Sequence, residues 1–297
     1  TTVDAFPGRN DFIKELKKLH PEITTITQNI NSRDTNVILG EKERILKGPG
    51  FIKDSLNGIL FKISPKSFYQ VNPVQTEKLY NLAIEAASIS KDDLLLDAYC
   101  GIGTISLIAS KKAKFVHGVE IEPSAVQDAI KNAKNNNIEN AYFYEGDAGE
   151  FIVNQQRNNI NYDVVIMDPP RKGSTETFLN CLIKTSPKKI VYVSCDPATL
   201  ARDLKYLKDY YEIKSVTPVD MFPQTFHVET VVLLSHKKPD GHINVKVEFG
   251  EGKVPLDNIA KRAEAYKPKE RVTYKKIKEY MEAKYGFKVH TAYIAEV

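Results

Sequence analysis

Residues 189–209 read KIVYVSCDPATLARDLKYLKD. Their apolar, β-branched opening has the pattern of a buried parallel strand, and their second half repeats apolar residues at helical spacing. Asp196 suits a helix N-cap and Pro197 the first helical position, so strand gives way to helix within two residues. A thiol at such a strand end, Cys195, meets the positive end of the following helix dipole. That is expected to lower its pKa toward thiolate, with Asp196 next door opposing. Position alone leaves two readings open, a nucleophile or a packing cysteine.

The same strand–turn–helix unit recurs on both sides. Strands read at LLLDA (94–98), FVHGVE (115–120), AYFYEGD (141–147), VVIMDPP (164–170), YEIKSVTPV (211–219) and TVVLLS (230–235), with helical patterns at 72–87, 104–112, 123–137 and 174–185. Such alternation predicts an α/β fold with a doubly wound, mostly parallel sheet over residues 68–238. Residues 1–67 read as a small α+β region, with one helical pattern (9–22) and strand-like pieces at ITTITQNI, NVILG and GILFKIS. Residues 239–297 turn polar and Lys-rich. There, two helical patterns about Gly286, with Lys275, Lys276, Lys278 and Lys284 outside, read either as a helix-turn-helix-like nucleic-acid module or as a solvated helical extension.

At 297 residues and 42% hydrophobic, the chain can bury a core for two or three domains. Its net charge of +4 permits a nucleic-acid partner without demanding one. Three cysteines without a CxxC spacing argue against a disulfide framework, a metal site or an iron–sulfur cluster, and suit a reducing cytoplasm. No apolar stretch approaches the roughly 20 residues of a membrane span, and the first residues lack a signal peptide's pattern. The start at Thr1 suits a fragment or a processed chain. No feature specifies an oligomer, so a monomer is the default expectation.

Ligands of open α/β sheets bind outside the carboxyl ends of the strands, so chemistry is sought there. The strand at 94–98 runs into Asp97-Ala98-Tyr99-Cys100-Gly101-Ile102-Gly103-Thr104, a glycine turn that opens a helix. Ser106 stands where a dinucleotide fingerprint has its third glycine, which counts against a nicotinamide or flavin cofactor. Glu120, 17 residues beyond Gly103, suits a carboxylate that accepts from two ribose hydroxyls. Asp147 is placed to accept from an adenine amine. Three strand-end acids beside a glycine turn without lysine favour S-adenosylmethionine over NAD or ATP. The next strand ends in Asp168-Pro169-Pro170-Arg171-Lys172-Gly173, where Arg171 replaces the base-stacking aromatic of amino-group methyltransferases and, with Lys172, could meet phosphates. Glu229, entering the last apolar strand, is expected to have its pKa raised by burial, as a general base needs.

In combination, SFYQVNP, DAYCGIGT, GVEIEPSAV, DPPRKG, SCDPATLARDL and DMFPQTFHVE resemble the RNA uracil-5-methyltransferase family, and most closely the 23S ribosomal RNA enzymes of Gram-positive bacteria. The resemblance covers roughly residues 1–238. It implies a Rossmann-like class I methyltransferase sheet, with residues 1–67 as part of a central RNA-recognition domain. It also implies Cys195 as nucleophile, Glu229 as base, and Gln70, Tyr99, Thr104, Glu120, Asp147 and Asp168 around S-adenosylmethionine. The implied reaction methylates carbon 5 of a uridine in RNA, with 23S ribosomal RNA the expected partner, no metal and no membrane. Phe68, Phe222 and Phe226 are candidates to stack on an unpaired base. The family's frequent N-terminal RNA-binding barrel and its cluster-binding cysteines are not found in this sequence. Alternatives are a transfer RNA substrate, a 5-methylcytosine RNA enzyme, and an RNA-binding module without turnover.

Overall fold

The computed structural model describes residues 1–33, 38–225 and 227–237. The segment around Gly286 and its lysines, Phe226, and the start of the NVILG piece lie outside the described residues. In chain order the elements are α1 (Arg9–Leu19), β1 (Ile26–Ile30), β2 (Lys42–Lys47), β3 (Ile52–Leu56), β4 (Ile59–Ile63), α2 (Pro73–Ala87), β5 (Leu94–Ala98), α3 (Thr104–Ser110), β6 (Phe115–Glu120), α4 (Pro123–Asn135), β7 (Ala141–Glu145), α5 (Ala148–Arg157), β8 (Val164–Met167), α6 (Glu176–Thr185), β9 (Lys189–Ser194), α7 (Pro197–Leu207), β10 (Tyr211–Val219) and β11 (Glu229–His236).

Seven strands form one sheet in the order β10-β11-β9-β8-β5-β6-β7. The order reverses on either side of β5, the switch point where open α/β sheets bind ligands. Pairings among β5 to β9 are parallel, whereas β11 runs antiparallel to both β9 and β10. Period-two alternation sends the strands' side chains into two cores. Leu95, Val164, Ile166, Val191, Val193 and Val231 pack with α2, α3 and α4, while Leu96, Val165, Met167, Ile190, Tyr192 and Val232 pack with α5, α6 and α7. Three helices on each face make the sheet doubly wound, as the strand–helix alternation predicts.

The N-terminal residues form two small hairpins, β1 with β2 and β3 with β4. Asn57 and Gly58 connect β3 to β4 with both φ angles positive (50° and 72°), which matches the right-handed twist of a two-residue hairpin. Leu56, Ile59, Phe61 and Ile63 share one core with α2, α3 and α4. Strands β2 and β3 are absent from the sequence reading. Both are largely exposed and polar, so neither alternates in hydrophobicity.

Packing between β6 and β7 is tight at Gly118, which pairs with Phe143. A Cβ there would stand 2.6 Å from the Phe143 ring and 2.9 Å from the Cys100 sulfur. Gly118→Ala is expected to destabilise the protein by about 1–3 kcal/mol in chemical denaturation, and Phe143→Leu in the same chain to recover part of that loss. Equal stabilities of the glycine and alanine proteins would contradict this packing.

Candidate active site

The carboxyl ends of β5, β6, β7, β8 and β9 open on one cavity of about 740 Å³, and the segment before α2 closes one side of it. Gln70, Tyr99, Thr104, Glu120, Asp147, Asp168, Cys195 and Glu229 all line this cavity. Glu229 reaches it for a geometric reason. Because β11 is reversed, its first residue arrives where the parallel strands finish, with Thr230 paired to Ser194 beside Cys195.

On the β5–β7 side the backbone preorganises the acids. The N–H of Gly101 donates to Glu120 Oε2 at 3.0 Å and that of Glu122 to Oε1 at 2.9 Å, which fixes the carboxylate while leaving each oxygen a further lone pair. Asp147 caps α5, its Oδ1 accepting from the N–H groups of Gly149 and Glu150 at 2.8 and 3.0 Å, so a ligand contact would fall to Oδ2. Tyr99 holds a positive φ of 67°, a conformation that costs a non-glycine residue energy and that turns its ring into the cavity, edge-on to Phe178. Beside it, a Cβ on Gly101 or Gly146 would meet nothing within 4 Å, so these turns face open space.

Asp97, counted in the sequence reading as one of the three strand-end acids but given no contact of its own, is a functional candidate. It is 1% exposed and lines the cavity. Oδ2 accepts from the Ser106 hydroxyl at 2.5 Å, whereas Oδ1 finds no partner among the described residues. Burial raises its pKa to about 7, against the Ser106 hydrogen bonds and with help from Glu120. Asp168 rises to about 8, through burial first and then the neighbouring charges of Glu229 and Asp97. A cavity with an orphaned buried carboxyl oxygen and carboxylates around a glycine turn fits a nucleoside that also carries positive charge.

The loop after β8 is held from below. The N–H of Ser174 and the Tyr192 hydroxyl donate to Asp203 Oδ2, each at 2.7 Å, and Arg202 Nε donates to Oδ1 at 2.8 Å. Arg202 also donates to the carbonyls of Lys172 and Ser174. Gly173, at φ 74°, fits because a Cβ would lie 2.5 Å from Arg202 Nη2. A hydroxyl contact of 3.1 Å joins Ser174 to Tyr99 across the cavity wall. Thus fixed, Arg171 turns toward the strand ends. Its Nη2 lies 3.4 Å from His227 Nε2, and its charge opposes the pKa rises of Cys195 and Glu229.

Asp196 and Pro197 occupy the N-cap and first-turn positions that the sequence predicts, with Asp196 Oδ1 accepting from the N–H groups of Ala198 and Thr199 at 2.9 Å. The expected thiolate at Cys195 is corrected by the structure: its pKa is raised. Partial burial is the largest cause, followed by the charges of Glu229 and Asp168, and Arg171 offsets only part of them. Glu229, 8% exposed, is raised as expected, by burial and against Arg171. Among the described residues, no group of His, Cys, Asp or Glu is arranged to hold a metal ion, and no helix is long and apolar enough to cross a membrane.

A family model described as tRNA (uracil-5-)-methyltransferase matches residues 14–237. Proteins named as uncharacterized RNA methyltransferases in Oceanobacillus iheyensis and Listeria innocua are 49% and 50% identical over 238 residues, which cover 80% of this chain and 52% of each relative. The chain therefore spans about half the length of the curated relatives it matches. The crystal structure of a Pyrococcus abyssi tRNA (uracil-54, C5)-methyltransferase in complex with S-adenosyl-L-homocysteine is 31% identical. It superposes with a TM-score of 0.59 over 73% of this chain and 52% of that one. A SAM-dependent methyltransferase from Agrobacterium tumefaciens (16% identity, TM-score 0.52, 74% and 80% coverage) shares the fold alone. The sheet is thus the Rossmann-like α/β sheet of class I methyltransferases.

Alkylation of Cys195 by iodoacetamide is expected to follow a thiol that titrates above the ordinary value of about 8.5. Glu229→Gln removes the larger neighbouring charge and should move that profile to lower pH, read by mass spectrometry with Cys195→Ser as the blank. An unchanged profile would separate the carboxylate from the thiol.

Proposed function

This chain belongs to the tRNA (uracil-5-)-methyltransferase family, and from that premise we propose that it transfers a methyl group from S-adenosylmethionine to carbon 5 of a uridine in RNA. The observation that carries the reading is that Cys195 and Glu229 open, from adjacent antiparallel strands, on the same cavity as the strand-end acids. Glu120, Asp147, Asp168, Gln70, Tyr99 and Thr104 would hold S-adenosylmethionine, which supplies an electrophilic sulfonium methyl. Its positive charge suits the carboxyl-rich wall. We take 23S ribosomal RNA as the substrate on the sequence resemblance, with transfer RNA as the second reading because of the family model's name and the Pyrococcus abyssi neighbour. A cytoplasmic site of action goes with either.

Carbon 5 of uracil is a weak nucleophile, so the protein must push electrons into the ring. Cys195 gives up its proton to solvent and its sulfur adds to carbon 6, which makes carbon 5 the nucleophilic end of an enolate. Arg171, whose charge acts on both thiol and carboxylate, favours that negative charge. Once carbon 5 carries the methyl group, with S-adenosylhomocysteine as the other product, Glu229 takes the carbon 5 proton and the carbon 6–sulfur bond breaks, releasing 5-methyluridine and the thiolate. A buried carboxylate with a raised pKa is the stronger base for that last step.

Two experiments test the reading. Glu120→Ala should weaken S-adenosylhomocysteine binding about tenfold to a hundredfold in calorimetry, the size expected when hydrogen bonds to a charged group are lost. Glu229→Ala should accumulate a methylated protein–RNA adduct that survives denaturing electrophoresis, whereas Cys195→Ala should give none. A covalent band with Cys195→Ala would overturn the assignment of the nucleophile. Mapping 5-methyluridine in ribosomal and transfer RNA from a deletion strain separates the two substrates.

A further inference from the structure

Among the described residues, strand β4 has only one strand neighbour, β3, yet its other edge is not bare. Three side chains one helical turn apart, two on α4 and one at its C-cap, meet it. Asn136 accepts from the Leu60 N–H at 2.9 Å and donates to the Leu60 carbonyl at 2.8 Å. Asn132 accepts from the Lys62 N–H at 2.8 Å and donates to the Lys62 carbonyl at 3.2 Å. Asp128 accepts from the Ser64 N–H and the Ser67 hydroxyl, both at 3.2 Å. Four residues of helix rise about 6 Å and two residues of strand about 6.7 Å. The repeats match closely enough for three rungs, so the stripe on α4 stands in for an antiparallel strand.

One rung does more than the others. Asn132 is fully buried, and its Nδ2 donates a second hydrogen bond, at 3.3 Å, to the carbonyl of Ile102 in the glycine turn after β5. That turn forms one wall of the cavity, and the segment that follows β4, Phe68 to Val71, forms another. We propose that Asn132 is a positioning residue that couples these two walls, so that a ligand seated against the glycine turn also orders β4 and the segment leading to Gln70. The proposal rests on reading the cavity as an S-adenosylmethionine site. Asn136 is the internal control, because it makes the same pair of bonds to β4 without touching the turn.

Hydrogen exchange of the unmodified chain, with and without saturating S-adenosylhomocysteine, reads the coupling directly. The Lys62 amide, bonded to Asn132, should exchange more slowly when the ligand is bound, while the Leu60 amide, bonded to Asn136, should not change. Asn132→Ala and Asn136→Ala should both lower the melting temperature. Only Asn132→Ala should weaken S-adenosylhomocysteine binding, by about three- to tenfold, the scale of one lost hydrogen bond. Equal affinities in the two variants, or equal responses of the two amides, would overturn the coupling while leaving the site in place. Failure of the unmodified chain to bind S-adenosylhomocysteine would instead remove the reading of the cavity, and the proposal with it.

Discussion

Strand direction is the constraint on which this structure turns. Five parallel strands deliver their last residues to one face, and the reversed strand β11 delivers its first residue to the same face. A parallel β11 would carry Glu229 to the opposite end of a strand of eight residues, about 25 Å away. With the strand reversed, a thiol and a carboxylate far apart in the chain enter one cavity with no loop needing to reach across the sheet.

That convergence has an electrostatic cost. The carboxyl groups of Asp97, Glu120, Asp147, Asp168 and Glu229 line the cavity, against the cationic side chains of Arg171 and Lys172. Burial raises the pKa values of Asp97 and Asp168 most, to about 7 and about 8, and the neighbouring like charges add to it. Such a wall disfavours anionic guests and rewards a cationic one. It adds to the burial that raises the Cys195 thiol, since the carboxylates that suit a cationic guest also disfavour a thiolate.

Legibility in the sequence followed packing. The central strands are buried on both faces, so each reads as an apolar run, and Asp196, Pro197 and the glycine turn mark the helix starts. Strands β2 and β3 escape because small exposed hairpins bury little on either face, although Asn57-Gly58 is itself a hairpin signal. The sign of the Cys195 shift escapes for a different reason. Its local sequence contains the helix terminus, whereas the burial that raises it most, and the charges of Glu229 and Asp168 that follow, come from the packing of other strands. Asn132 and Asn136 look like ordinary polar positions on an amphipathic helix, because hydrogen bonds from side chains to a distant backbone leave no period in the sequence.

The stripe on α4 also bears on how the chain keeps to itself. An unpaired strand edge is a template for another molecule's strand, and proteins commonly guard it with lysines, prolines or bulges. Here the guard is amide chemistry. An asparagine carries a donor and an acceptor on one group, so at four-residue spacing it presents the alternation of a missing strand while its helix remains intact. The outer edge of β4 thereby has its backbone groups at Leu60 and Lys62 already paired, by side chains some 70 residues further along the chain.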